Sequence, residues 1–469
     1  MTNDSTGRIA EELRTWIAGA APGARLPSSR SLVAEHGASA LTVNKAIRSL
    51  AREGLVETRP GVGTFVRGVR TARASDLSWQ TAALGPRLLR PTPPRALDET
   101  HADAAALHAG YPAPDLLPER LVRAALTRAA RSAAATMRSP SAGDPELRAW
   151  FAAELAELTP AATVPPQPSD VIVVPGSQSG LNAVFRALAG VGGTIVMESP
   201  TYWGAINAAG QSGLTIAPVP SGPAGPEVAD IERALITSGA RAMYLQPDFA
   251  NPTGAQWTVE KKQQVLALAR EHGVFLIEDD WAHDFGIGAE AHPLITGDDT
   301  GHVVCIRSLT KSVSPALRVA AVIARGPARE RILADVQAES MYTSAILQRA
   351  ALDVVTHSGW RSHLRDLRPA LAARRDALLD AIRTHLPEAV VEAVPQGGLH
   401  LWVRMPDGTD LARLEADCQR DGVLIAGGDA WFPAEPAGPY LRMSFAGPEP
   451  HRYASALAVV AGHLHAQHS

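Results

Sequence analysis

The sequence predicts two unlike parts in tandem: a small α+β module of three helices and a β-hairpin, then a large α/β part on a mostly parallel sheet. Three observations carry that prediction. The first seventy residues show helical apolar periodicity that ends in a glycine-rich turn between two short strands. From about His101 onward, short continuous apolar runs alternate with helical stretches. Between the two lies a Pro- and Arg-rich stretch with little periodicity. At 469 residues the chain is too long for one ordinary domain, and the boundaries fall at 1–68, 69–98 and 99–469.

In the head, Ile9, Leu13, Trp16 and Ile17 share a helical face, and Pro22-Gly23 ends that helix. Ser28-Ser29-Arg30 caps a second helix carrying Leu32 and Val33, which stops at Gly37. Ser39 caps a third, whose Val43, Ala46, Ile47 and Leu50 form a stripe at i, i+3, i+4, i+7. Residues 55–58 and 64–67 flank a Pro60-Gly61-Val62-Gly63 turn. Three helices and a two-stranded wing make a winged helix-turn-helix. In the linker, 69–98, one short docking helix is expected around residues 79–84. In the body, apolar runs at 171–174, 194–197, 242–245, 274–277 and 303–306 predict strands covered on both faces.

Charge divides along the same line. Residues 1–70 hold ten Lys+Arg against six Asp+Glu, a net of +4, while the remainder nets −8 within a chain of −4. A basic head on an acidic body is expected where only the head meets a polyanion, although such an excess also occurs on inert domains. A recognition helix enters the major groove by its N-terminal end. Here that end offers Ser39, Thr42, Asn44, Lys45 and Arg48, with Arg30 placed to hold phosphate and Gly63 in the wing. A solvated polar face on a small helical module also suits the helix by itself; the wing favours double-stranded DNA. No run reaches the roughly 20 apolar residues that cross a bilayer. No secretory signal is visible, and Cys305 and Cys418 form neither a metal-ligand cluster nor a disulfide framework. A cytoplasmic protein with no metal and no membrane partner is expected.

The chain has forty arginines and four lysines, Lys45, Lys261, Lys262 and Lys311. Lys311, in Ser308-Leu309-Thr310-Lys311, follows the 303–306 strand directly, at a strand end where α/β sites form. Only a lysine amine can form an imine; guanidinium cannot. A surface ion pair is the alternative for this lysine taken alone. Other strand ends carry the remaining needs of an imine-forming cofactor. Glu278-Asp279-Asp280-Trp281 offers a carboxylate that keeps a pyridine nitrogen protonated. Ser177, within Pro175-Gly176-Ser177-Gln178, opens a helix that can hold a phosphate, and Ser308 and Arg318 can add contacts.

These strings carry two resemblances. Leu26-Pro27-Ser28-Ser29-Arg30, Leu41-Thr42-Val43-Asn44-Lys45-Ala46 and Gly61-Val62-Gly63-Thr64-Phe65-Val66 resemble the GntR-type winged helix over residues 7–67, with Ala40 where that family often has arginine. Gly176-Ser177-Gln178, Ser199-Pro200-Thr201-Tyr202, Asn251-Pro252-Thr253-Gly254, Glu278-Asp279-Asp280, Ser308-Leu309-Thr310-Lys311, Pro315-Ala316-Leu317-Arg318 and Tyr440-Leu441-Arg442 resemble the fold-type I aminotransferase domain over roughly 100–465.

The second resemblance implies pyridoxal 5'-phosphate, with Lys311 on its aldehyde, Asp279 on its ring nitrogen, Tyr202 stacked on the ring and Asn251 on the phenolic oxygen. Ser177, Gln178, Ser308 and Arg318 would hold the phosphate, and Arg442 the carboxylate of an amino-acid ligand. Trp281 stands where the family commonly has a tyrosine that contacts the phenolic oxygen; an indole donates one N–H but is no phenol. A GntR-type head on an aminotransferase-like body resembles the MocR-type transcriptional regulators. That layout implies a homodimer on DNA that senses an amino compound or pyridoxal phosphate. A working aminotransferase carrying a DNA-binding head is the alternative, and a regulator with a purely structural cofactor is a third reading.

Overall fold

The computed structural model describes residues 5–67, 104–447 and 450–468, in two compact units. The linker expected over 69–98, with its short helix near 79–84, lies outside the described residues.

In the head, α1 (Ser5–Gly19), α2 (Ser29–His36) and α3 (Ala40–Arg52) precede the hairpin of β1 (Val56–Arg59) and β2 (Gly63–Val66). The caps are chemical. Ser28 and Ser39 accept the main-chain N–H groups of Ser31 and Thr42 at 3.1 Å, and Gly37 ends α2 in the left-handed region. Ile9, Ala10, Leu13 and Ile17 of α1 bury against Val43, Ala46, Ile47 and Leu50 of α3, over Leu26, Leu32, Val56 and Val66. Trp16 does not join them and is 41% exposed. Ala10 and Ile17 move the centre of the stripe away from it, so Trp16 sits on the flank of the helix. Val56 pairs with Val66 and Arg59 with Gly63, which makes Gly63 the first residue of a strand and leaves Gly61-Val62 at the tip of the wing.

The body is built on an eight-stranded sheet. In chain order its strands are β3 (Val171–Val174), β4 (Thr194–Ser199), β5 (Thr215–Gly222), β6 (Gly225–Pro226), β7 (Ala242–Leu245), β8 (Phe275–Asp280), β9 (Val303–Ser308) and β10 (Ala320–Ile323). Their spatial order is β3-β10-β9-β8-β7-β4-β5-β6. The run from β9 to β5 is parallel, while β10 inserts antiparallel between β9 and β3, so β3 again points with the main set. Two large apolar clusters cover the two faces, which is why the strands are apolar throughout. A smaller antiparallel sheet follows, β11 (Val390–Val391), β12 (His400–Arg404), β13 (Ala426–Gly427) and β14 (Tyr440–Ser444), in the order β11-β12-β14-β13. It packs in a third cluster with the helices Ser358–His385 and Tyr453–His468. No helix among the described residues is long and apolar enough to cross a membrane.

Candidate functional sites: a strand-end cavity and a basic helix face

The strand expected at 274–277 extends to Asp280, and its alternation decides among three carboxylates. Glu278 turns with Leu276 and accepts the main-chain N–H groups of Leu294 (2.6 Å) and Ile295 (3.2 Å). Asp280 turns the same way and meets His283 Nδ1 at 2.7 Å. Asp279 faces the opposite side, into a cavity of about 480 Å³.

All nine residues expected around a cofactor line that cavity: Ser177, Gln178, Tyr202, Asn251, Asp279, Trp281, Ser308, Lys311 and Arg318. Tyr111, Gln246 and Thr310 complete the wall, and none was expected. The ends of β3, β4, β7, β8 and β9 deliver these side chains to one place, as parallel strands do at their carboxyl ends.

One end of the cavity suits an anion. Helix α4 (Ser177–Leu188) starts there, and its first main-chain N–H groups have no carbonyl within the helix to bond. Gly176 precedes it with φ +92°, and a Cβ at that position would run into the Arg318 guanidinium. The bare glycine is what lets Arg318 lie across the helix start. The Gln178 carboxamide is already engaged, donating to Gly204 O (2.8 Å) and accepting from the Tyr202 hydroxyl (3.3 Å). Its main chain, not its side chain, is therefore the part free for a phosphate. Ser308 Oγ accepts from Thr310 N at 3.1 Å and keeps its own proton to donate.

At the other end, Asp279 Oδ2 accepts from the Tyr244 hydroxyl (2.8 Å) and Gln246 Nε2 (3.0 Å), while Oδ1 is buried with no partner. A buried acceptor without a donor is costly, so this oxygen is placed for an N–H that the chain itself does not supply. Burial raises the Asp279 carboxyl above its ordinary range, against both of those hydrogen bonds and the Lys311 charge. Burial lowers the Lys311 amine, against the Asp279 charge and helped by Arg442. Lys311 Nζ lies over the Trp281 ring, 4.2 Å from its centroid.

The Trp281 N–H donates to Phe249 O at 3.1 Å, so it is not available to a ligand as the sequence had allowed. Asn251 Oδ1 accepts from Trp431 Nε1 at 3.2 Å, which leaves its amide nitrogen as the donor toward the cavity. Arg442 is 2% exposed, donates to His108 O at 2.6 Å and sits over the Trp431 ring, yet its Nε has no partner. Burial pulls the guanidinium down to about 9, still cationic at neutral pH.

In the head, Asn44, Lys45 and Arg48 are exposed on α3, and Arg30 is exposed in the first turn of α2. Ser39 and Thr42 are tied to each other, Oγ to Oγ1 at 2.8 Å, in the cap. Lys45, Arg48, Ser49 and Arg52 line one open groove with Thr6, and Arg52 is an addition to the expected set. At the wing, the Arg25 guanidinium lies where a Cβ on Gly63 would be, 2.7 Å from Nε, and Arg59 covers the Phe65 ring. The wing therefore presents arginines beside the glycine amides anticipated from its sequence.

A winged helix ahead of a parallel-sheet domain, with a lysine and an unpartnered carboxylate oxygen at its strand ends and a buried arginine beside them, defines a class of DNA-binding regulator built on an aminotransferase fold. Residues 111–460 match the family described as aminotransferase class I and II, and residues 5–66 match the bacterial regulatory proteins of the gntR family. The chain belongs to the aminotransferase class I and II family, with a gntR-family module at its head, the layout of the MocR-type transcriptional regulators.

It is 26% identical to the uncharacterized HTH-type transcriptional regulator YdfD of Bacillus subtilis (strain 168), across 90% of this chain and 88% of that one. It is 28% identical to the probable rhizopine catabolism regulatory protein MocR of Rhizobium meliloti, across 85% and 81%. Among solved structures, LysN, the alpha-aminoadipate aminotransferase of Thermus thermophilus complexed with N-(5'-phosphopyridoxyl)-L-leucine, matches with a TM-score of 0.74. That match is 25% identical and covers 83% of this chain and 99% of that one.

Proposed function

We propose that this chain is a cytoplasmic transcriptional regulator that binds double-stranded DNA as a homodimer through residues 5–67 and holds pyridoxal 5'-phosphate in the strand-end cavity. An amino compound, or the cofactor itself, is the effector. The observation that carries the reading is the pairing of Asp279 Oδ1, buried and without a donor, with Lys311 in one cavity, behind a head of gntR type.

The cofactor, when bound, supplies an aldehyde that condenses with primary amines and a ring that withdraws electrons. The chain's own residues do the rest. Arg318, the hydroxyls of Ser177 and Ser308 and the start of α4 hold the phosphate. Asp279, fixed by Tyr244 and Gln246, presents Oδ1 to the ring nitrogen and favours its protonated form. The Asn251 amide, turned by Trp431, donates to the phenolic oxygen. Burial keeps a larger share of Lys311 as the neutral amine, the group that would hold the cofactor's aldehyde end. Arg442, with a free Nε, takes the carboxylate of an incoming amino acid. Regulation then requires only that the occupied and empty cavities favour different arrangements of the DNA-binding heads.

A second reading, a working aminotransferase, draws support from the completeness of the set Lys311, Asp279, Asn251 and Arg442. One titration separates the two. Amino acids are added to the purified chain loaded with cofactor, and the near-visible band is followed with Lys311→Ala as control. A band that shifts and persists supports a sensor. Stoichiometric loss of the band with release of the keto acid supports an intact half-reaction of transamination and favours the enzyme.

A further inference from the structure

Helix α3 has two opposite faces. Val43, Ala46, Ile47 and Leu50 are buried in the core of the head. Leu41, Asn44, Lys45 and Arg48 repeat the same i, i+3, i+4, i+7 spacing on the other side of the helix, and all four are exposed. Asn44, Lys45 and Arg48 are the polar residues expected to meet DNA. Leu41 stands apart from them: it is large and apolar, it is 64% exposed, and it lies in the first turn.

An exposed leucine alone needs no explanation. The place of this one supplies an explanation. Ser39 caps α3 two residues before Leu41, so Leu41 sits at the end by which a recognition helix enters the major groove. Lys45, Arg48 and Arg52 follow along the same exposed side, and residues 1–70 net +4, which matches this face to a polyanion.

Base edges in the major groove present hydrogen-bond donors and acceptors, together with one apolar group, the C5-methyl of thymine. A leucine side chain makes no hydrogen bond. Pressed on a polar base edge, it displaces water and returns nothing. Pressed on a methyl group, it gains apolar contact. Asn44, one turn further along the same face, carries the carboxamide that pairs with adenine N6 and N7. Adenine faces thymine across the base pair, so the two side chains favour A·T pairs together.

Resting on the DNA-binding reading above, we infer that Leu41 is a specificity-determining residue that reads a thymine C5-methyl group in the major groove.

The test uses the full-length chain and the DNA site that it selects from random sequence. Each thymine of that site is replaced in turn by deoxyuridine, which removes the methyl group and leaves the hydrogen-bonding edge intact. Fluorescence anisotropy reads the affinity. In wild type, at least one replacement weakens binding about fourfold, the loss expected when one methyl leaves an apolar contact. Leu41→Ala substitutes a good helix former at an exposed position, and circular dichroism and the melting temperature check that its fold is kept. This variant binds the thymine site more weakly than wild type and no longer distinguishes thymine from uracil at that position. Arg30→Ala, as a phosphate-contact control, weakens both sites and keeps the discrimination. A selected site without thymine, or one indifferent to every replacement, overturns the inference and leaves DNA binding standing. A Leu41→Ala variant that keeps the wild-type discrimination also overturns it; if that variant sediments with weakened self-association, Leu41 belongs to a contact with a second copy instead. If the chain selects no DNA site, the DNA-binding reading fails, and this inference fails with it.

Discussion

In the proposed function the two oxygens of Asp279 have different tasks: Oδ2 is held by Tyr244 and Gln246, and Oδ1, buried without a partner, would meet the ligand. Asp279→Asn removes the charge at nearly constant shape. It weakens cofactor retention by about 1.5–3 kcal/mol, the range for a hydrogen bond to a charged group, as read by equilibrium dialysis. The depressed Lys311 amine adds a pH signature. With its ionisation below the ordinary lysine value of 10.5, the neutral nucleophile accumulates at lower pH than in a solvated lysine. The rate of cofactor uptake therefore rises with pH and levels off well below pH 10.5; a rate still climbing through that value contradicts the depression. On the head, Arg30→Ala lowers affinity for all DNA sequences alike and reduces the salt slope of binding by about one, as loss of one phosphate contact does. Lys311 and Asp279 were legible in the sequence because each sits in a short string at a strand end. Tyr111, Gln246 and Trp431 were not, because their roles arise only when distant segments meet; Trp431 reaches Asn251 across 180 residues.

At the level of elements, the buried acid of β8 makes stability depend on pH. Burial, with the Asp280 charge adding to it, pushes Glu278 up to about 8. A carboxyl raised in the folded state contributes its full stability below its unfolded value, near 4.5, and loses it as pH rises through 8. Glu278→Gln keeps an acceptor for the Leu294 N–H and cannot ionise. The wild type should therefore lose about 1–2 kcal/mol relative to this variant between about pH 6 and 9, seen as diverging melting temperatures. Parallel curves would show that Glu278 ionises without penalty. In α3 the Ser39 cap has its own consequence: Ser39→Ala costs about 1 kcal/mol of head stability in denaturant melts. Strands and caps of this kind were readable from periodicity and residue type. Strand β10 was not, since it returns antiparallel from β9 with no intervening helix to mark it. Trp16 was misplaced because four-residue spacing alone does not locate the centre of an apolar stripe that includes Ala10.

Across the whole molecule, the proposed function joins two sites by linkage. If cofactor or amino acid changes the affinity of the heads for DNA, DNA must change the affinity for that ligand by the same factor. The gntR match at the head and the aminotransferase match in the body supply the two ends of that linkage, and the cavity supplies a place for the ligand. The most direct test is the affinity of the full-length chain for a DNA site that it selects from random sequence. Fluorescence anisotropy would read it with and without pyridoxal phosphate and the best-binding amino acid, in wild type and Lys311→Ala. A roughly 5–150-fold change is expected in wild type, the usual span of allosteric coupling, and no amino-acid response in Lys311→Ala. Tight DNA binding that is indifferent to both ligands would contradict it and leave the body as an enzyme or scaffold unconnected to the head.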